Sequence, residues 1–166
     1  MISDAFTTYS RKLLTADYLP KIEACLHRLS DEDVWWRPND ASNSIGNLVL
    51  HLCGNVTMWI VGGIGGRSVD RDRQQEFDER RRIPKDDLLV KLRTVIDAAD
   101  EVLATLGERE LLSKRTIQSY DVTVLQAVYH VVEHFSMHTG QIILLSKARV
   151  AEDLQLWQQP DSLTSL

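Results

Sequence analysis

Apolar residues recur at every third or fourth position in four segments of the chain, which is the spacing of one face of an α-helix. These segments cover residues 2–29, 45–61, 85–106 and 122–148. Pro20 lies inside the first segment and removes one helical hydrogen bond, so we expect a kink or break near residues 18–19. The pattern predicts an all-α fold, a four-helix bundle formed by a single domain over residues 1–166.

Start and stop signals flank the second and third predicted helices. Ser44 can cap the second helix, and the four glycines within residues 62–66 are expected to end it. Pro84 precedes the third helix, with Asp86 and Asp87 in its first turn. Acidic side chains are favoured there because a helix N-terminus carries partial positive charge.

A long polar segment separates these two helices. Residues 67–84 exceed the usual length of a connection and can run along a helix of about 30 Å. The second and third helices can therefore lie parallel, joined by a long crossover. The arginines of this segment can attract an anionic thiol cofactor, but the interleaved acidic residues favour a solvated surface of mixed charge. The charged residues considered are Asp70, Arg71, Asp72, Arg73, Glu76, Asp78, Glu79, Arg80, Arg81 and Arg82.

Composition and net charge indicate which binding partners the protein is expected to lack. Hydrophobic residues make up 43% of the chain and charged residues 26%, both ordinary for a globular protein. The net charge of −5 argues against a general attraction to nucleic acid or to anionic membranes, so we expect neither as a partner. The most apolar stretch, residues 45–64, contains Asn47, His51 and Asn55, which favours a buried bundle helix over a membrane span.

Cysteine content and the N-terminal residues predict a cytoplasmic protein. Cys25 and Cys53 form neither a disulfide framework nor a Cys-x-x-Cys pair. The first residues lack the basic, apolar and small-residue sections of a secretory signal. Cys53 points away from His51, two residues earlier on the same predicted helix, and we interpret it as a buried, unreactive thiol.

Histidines on two predicted helices form the strongest candidate site. His130, His134 and His138 follow one another at intervals of four residues, so neighbours can share one cation but all three cannot. His138 lies inside the apolar stripe of the fourth helix and His134 at its edge. His51, at the border of the second helix's stripe, is the natural third ligand. Spacing alone leaves open that these are core histidines, each with its own hydrogen-bond partner.

Four stretches, in order along the chain, resemble a known family. HFSMHTGQ at residues 134–141 resembles the His-x-x-x-His-x-Gly-Gln signature of the DinB/YfiT-like metalloenzyme superfamily. SIGNLVLH at residues 44–51 resembles the histidine segment of that superfamily's second helix. WWRP at residues 35–38 and DRDRQQEF at residues 70–77 resemble an uncharacterised DinB-like branch of the DUF1572 type.

The resemblance implies an up-down-down-up bundle in which His51, His134 and His138 bind one divalent metal ion. Zinc or nickel is expected first, with iron or manganese as further candidates, and a homodimer is expected. His130 is not a regular ligand in such proteins. Relatives include thiol S-transferases that use bacillithiol or mycothiol, a mycothiol-dependent isomerase, and a metal-binding domain in an iron enzyme of ergothioneine synthesis.

Three imidazole ligands leave an open coordination position, the mark of a catalytic metal site. An ion there can activate a thiol or a water molecule. By analogy with the relatives, the expectation is a thiol S-transferase with a low-molecular-weight thiol and a small-molecule substrate. A metal-dependent hydrolase and a non-catalytic helical dimer remain alternatives. Asn55 and Gln141 share the histidine faces and can bind a ligand or orient a histidine.

Overall fold

Helices account for most of the residues that the computed structural model describes, residues 1–157. The helices are α1 (Ile2–Lys12), α2 (Leu19–Arg28), α3 (Asp31–Val34), α4 (Ile45–Val56), α5 (Arg73–Asp78), α6 (Lys85–Leu103), α7 (Glu108–Leu112) and α8 (Val124–Val150). The strands are β1 (Lys114–Ile117) and β2 (Tyr120–Thr123). This arrangement confirms the mostly helical fold, whereas the up-down-down-up order stays a prediction. The last residues of the predicted domain, 158–166, lie outside the described part.

The first helical segment continues past Pro20. Between α1 and α2 the six residues Leu13–Tyr18 form a π-helix, and Pro20 lies in the first turn of α2. A proline has no N–H to donate to the preceding turn, and a wider π-helical turn is one way to accommodate that loss. The irregularity expected near residues 18–19 therefore takes the form of a π-helical stretch that leaves the helix continuous.

The second helical segment is longer than the sequence predicted. After α4 the chain continues as a π-helix over Thr57–Ile64, so Gly62 and Gly63 lie inside the helical run. The prediction that the helix ends after residue 61 is wrong, because Gly62 and Gly63 do not end the helix but allow other side chains to pack closely against it. A Cβ atom on Gly63 would lie 2.5 Å from Cδ1 of Ile117, and one on Gly62 would lie 2.7 Å from Cγ2 of Val69.

One core unites the long helices. Faces of α2, α4, α6 and α8 are buried together, and each fully buried large apolar side chain contributes roughly 1.5–3 kcal/mol relative to an exposed one. The run Ile45–Ile64 is long and apolar enough to cross a membrane, with a mean hydropathy of 1.4, but 72% of that window is buried inside the fold. The burial identifies this run as a core helix of the fold.

A β-hairpin corrects the all-α prediction. Strands β1 and β2 pair antiparallel through the two-residue turn Gln118–Ser119, whose φ angles are 50° and 69°. Positive φ at both turn positions is the geometry that suits a tight hairpin. The fourth helix consequently begins at Val124, not at residue 122, and Thr123 caps it by accepting a hydrogen bond from the backbone N–H of Gln126.

Candidate metal centre

Three histidines from two packed helices meet inside the helical fold. His51 lies on α4, and His134 and His138 lie one turn apart on α8. Nε2 of His134 lies 3.0 Å from Nε2 of His51 and 3.1 Å from Nε2 of His138. One nitrogen from each residue falls within 4.8 Å of the other two, which is close enough to share one ion. The structure therefore brings together the three histidines that the sequence analysis selected.

His130 does not join this group. Its ring centroid is 5.7 Å from that of His134, and it packs instead against Trp59, with the two ring centroids 4.4 Å apart. The sequence favoured His134 and His138 over His130 because these two lie in or beside the apolar stripe of the fourth helix. The geometry agrees with that choice.

Contacts at the outer ring nitrogens determine where two of the histidines carry their protons. Nδ1 of His51 lies 2.8 Å from Oε2 of Glu76, and Nδ1 of His138 lies 2.7 Å from Oε1 of Gln141. Both oxygens are acceptors, so each Nδ1 is the donor and carries the hydrogen. When these two rings are neutral, Nε2 carries no hydrogen, and its lone pair points toward Nε2 of His134.

The inner nitrogens cannot all be satisfied by hydrogen bonds to one another. Nε2 of His134 can donate to one neighbour at most, and its buried Nδ1 has no hydrogen-bond partner within residues 1–157. Burial, together with the neighbouring His138 and His51, lowers the pKa of His134 to about 3, so the ring is neutral at physiological pH. Three imidazoles whose inner nitrogens converge fit a divalent cation, which satisfies all three.

A buried ion pair from the crossover supports His51. Arg71 donates to Glu76 through Nε at 2.7 Å and through Nη2 at 2.9 Å, and the two side chains are only 5% and 11% exposed. Burial opposes ionisation of Glu76, but the hydrogen bonds from His51 and Arg71 outweigh it and lower the pKa of the carboxyl group. The interpretation of this segment as a solvated surface is therefore wrong for Arg71 and Glu76.

Gly54 provides the space that Glu76 needs, and it was the available sequence signal for this contact. A Cβ atom at Gly54 would lie 1.8 Å from Oε1 of Glu76 and 2.8 Å from Nε of Arg71. A glycine within an apolar helix, three residues after a candidate ligand, often marks a close approach of another group. The roles of Glu76 and Arg71 were not predicted from the sequence, where only Gly54 carries this signal.

Asn55 and Gln141 occupy different surroundings. Gln141 accepts the hydrogen bond from His138 described above. Asn55 is 4% exposed, its side chain makes no hydrogen bond with any described residue, and its Oδ1 is buried without a partner. An unpaired buried amide oxygen costs free energy unless a ligand or water supplies a donor.

A cavity of about 420 Å³ lies beside the histidines. It reaches His51 and His134 from the side of the hairpin. The lining residues are His51, Asn55, Trp59, Arg71, Arg73, Gln118, Tyr120, Val122, Gln126, His130 and His134. A volume in this range accommodates a small molecule.

Neither cysteine is placed for chemistry at this centre. Cys25 and Cys53 are both buried. Burial raises the pKa of the Cys53 thiol to about 12 and also raises the pKa of Cys25. Both thiols stay protonated at physiological pH, in agreement with the interpretation of Cys53 as unreactive.

Comparison with known proteins connects this geometry with a family. The family described as "Protein of unknown function (DUF1572)" matches residues 2–161. A conserved protein from Enterococcus faecalis shares the fold with a TM-score of 0.71 at 14% identity, over 88% of this chain and 98% of that one. A DinB-like protein from Bacillus cereus gives a TM-score of 0.63 at 15% identity, over 79% of this chain and 85% of that one. No curated protein matches the sequence. The chain belongs to the DUF1572 family and has a DinB-like fold.

Proposed function

We propose that this protein is a metal-dependent enzyme in which His51, His134 and His138 hold one divalent ion. The reaction we assign to it is the transfer of a low-molecular-weight thiol onto an electrophilic small molecule. The observation that carries the proposal is the convergence of three imidazole nitrogens beside a cavity. Imidazole ligands suit zinc and nickel, and iron and manganese are the further candidates.

The number of ligands supports a catalytic role over a structural one. Structural zinc sites are closed by four protein ligands, whereas catalytic sites keep a position for substrate. Within residues 1–157 no cysteine, aspartate, glutamate or further histidine joins the three ligands. His51 and His134 also line the cavity, so the open position would face the space where a small molecule binds.

The protein's own residues prepare the site for this chemistry. Glu76 and Gln141 hold the Nδ1 hydrogens of His51 and His138, which fixes both rings with Nε2 inward. A divalent ion, when bound there, supplies the positive charge that favours ionisation of a thiol at neutral pH. Because both cysteines are buried and protonated, the nucleophilic sulfur comes from a small-molecule thiol.

The proposed reaction is a nucleophilic substitution at carbon. The thiol loses its proton to solvent, its sulfur forms a bond to the electrophilic carbon, and the leaving group departs with the electron pair of the broken bond. The assignment of thiol transfer rests on analogy with thiol S-transferases of the superfamily, since a fold can host several chemistries.

Metal analysis combined with turnover tests the proposal. We expect one divalent ion per chain in the purified protein, lost in His51→Ala and retained in the control His27→Ala, which changes an exposed histidine outside the group. The loaded protein should accelerate the reaction of cysteine with chlorodinitrobenzene. Turnover of p-nitrophenyl acetate with water alone would favour the hydrolase. Metal binding without either activity would favour the non-catalytic dimer.

A further inference from the structure

The cavity beside the histidines has a charge opposite in sign to that of the whole protein. Two arginines, Arg71 and Arg73, line it, and no acidic residue does, although the chain has a net charge of −5. A cleft lined by one sign of charge concentrates the opposite sign from solution. The inference below rests on the proposed function in that it takes this cavity as the substrate pocket.

The two arginines differ in their availability. Arg71 is committed to Glu76 by two hydrogen bonds and is buried. Arg73 forms no ion pair with a carboxylate of residues 1–157 and lies in the first turn of α5. Its guanidinium carbon is 4.9 Å from the ring centroid of Phe77, and the Phe77 ring centroid is 4.6 Å from that of His51. Arg73 is thus held one aromatic ring away from a metal ligand with its donors uncommitted.

An anion bound to Arg73 would lie close to the histidine group, because only the Phe77 ring separates Arg73 from His51. A guanidinium fork binds a carboxylate through two parallel hydrogen bonds, which gives direction as well as attraction.

Another part of the cavity lining is aromatic. Trp59 packs between Tyr120 and His130, with ring centroids 6.3 Å and 4.4 Å from its own. This wall offers an apolar surface for the flat part of a ligand. Asn55, buried and without a hydrogen-bond partner among the described residues, lies in the same lining and adds a polar contact.

We propose that the cavity selects small organic carboxylates, with Arg73 as the residue that determines this specificity. The carboxylate pairs with Arg73, and the unsaturated or aromatic part lies along the wall formed by Trp59, Tyr120 and His130. A neutral molecule of the same shape leaves Arg73 unpaired and binds more weakly.

Benzoate and its neutral counterpart benzamide separate charge from shape. Binding of each is followed by NMR through the indole N–H of Trp59, in the metal-free and the metal-loaded protein. We expect benzoate to bind the wild type more tightly than benzamide, and Arg73→Gln to weaken benzoate about tenfold while leaving benzamide unchanged. Arg73→Lys should be intermediate. Arg109→Gln, which removes an exposed arginine outside the cavity lining, should behave as the wild type.

Several outcomes would overturn this inference, and they are distinct from failure of the proposed function. Equal affinity for benzoate and benzamide would show that the cavity does not select for charge. Benzoate binding that needs the metal and ignores Arg73→Gln assigns the carboxylate to the ion alone. If the protein binds no metal yet binds benzoate through Arg73, the proposed function fails and the anion pocket stands. If the protein binds metal but Arg73→Gln does not change benzoate binding, the anion pocket fails and the proposed function stands. Circular dichroism of each variant confirms that it is folded.

Discussion

His51 and His138 each depend on one neighbour for their orientation, and Glu76, which holds His51, is buried and charged. We expect Glu76→Gln to lower metal affinity by about 10–100-fold, because the amide keeps the size of the side chain but loses the charge that pairs with Arg71 and His51. Competition with a chromophoric chelator measures the affinity. Glu101→Gln is the control, since Glu101 is 73% exposed on α6. Unchanged affinity in Glu76→Gln would show that the carboxylate does not support the site.

Two glycines on ligand helices provide a matched test of close packing. A Cβ atom at Gly54 would collide with the Glu76 carboxylate, whereas one at Gly140 meets nothing within 4 Å. We expect Gly54→Ala to destabilise the protein by about 1–3 kcal/mol and to weaken metal binding by displacing Glu76. Gly140→Ala should be neutral or stabilise by up to about 1 kcal/mol, since alanine favours a helix. Urea unfolding measures both, and equal effects would contradict the packing argument.

Helical elements could be predicted from the sequence because apolar periodicity and the spacing of histidines are local properties. His134 and His138 lie on one helix, so their proximity follows from four residues of separation. The support from Glu76 could not be predicted, because it depends on how α5 packs against α4, and charge alternation alone indicated a solvated surface. For the same reason the sequence could name Arg73 among the arginines of the crossover but could not predict its position over Phe77, which that short helix sets.

The β-hairpin escaped prediction because its turn lacks the usual residues. Gln118 and Ser119 adopt positive φ without the glycine or asparagine that normally marks such a turn. A left-handed conformation costs a residue with a side chain about 1–2 kcal/mol. We therefore expect Ser119→Gly to raise the free energy of unfolding by up to about 1 kcal/mol. Ser136→Gly, in the exposed middle of α8, should lower it by about 0.5 kcal/mol. Urea unfolding compares the two variants. Destabilisation by Ser119→Gly would show that the turn residue is not strained.

The whole metal-free molecule should respond to acid through its buried histidines. His134 has a pKa of about 3 in the folded protein, against 6.5 when unperturbed, because burial disfavours its charge. Between these values the unfolded chain binds a proton that the folded protein does not. Stability should therefore fall as the pH decreases below about 6.5. Urea unfolding at neutral pH and at pH near 5 measures the change, and His134→Gln should reduce it. Equal pH dependence in the variant would contradict this assignment.

Metal removal tests how the whole fold depends on its centre. The core extends through α2, α4, α6 and α8 well beyond the histidines, so we expect the chelated protein to stay folded. An ion present at about 100 times its dissociation constant adds about 2.7 kcal/mol to stability. In a protein of this size that corresponds to a rise in melting temperature of about 5–11 °C. Calorimetry with and without EDTA measures it. Global unfolding on chelation would instead indicate a structural ion. A moderate shift in melting temperature is what we expect of a helical fold that is stable before the ion binds.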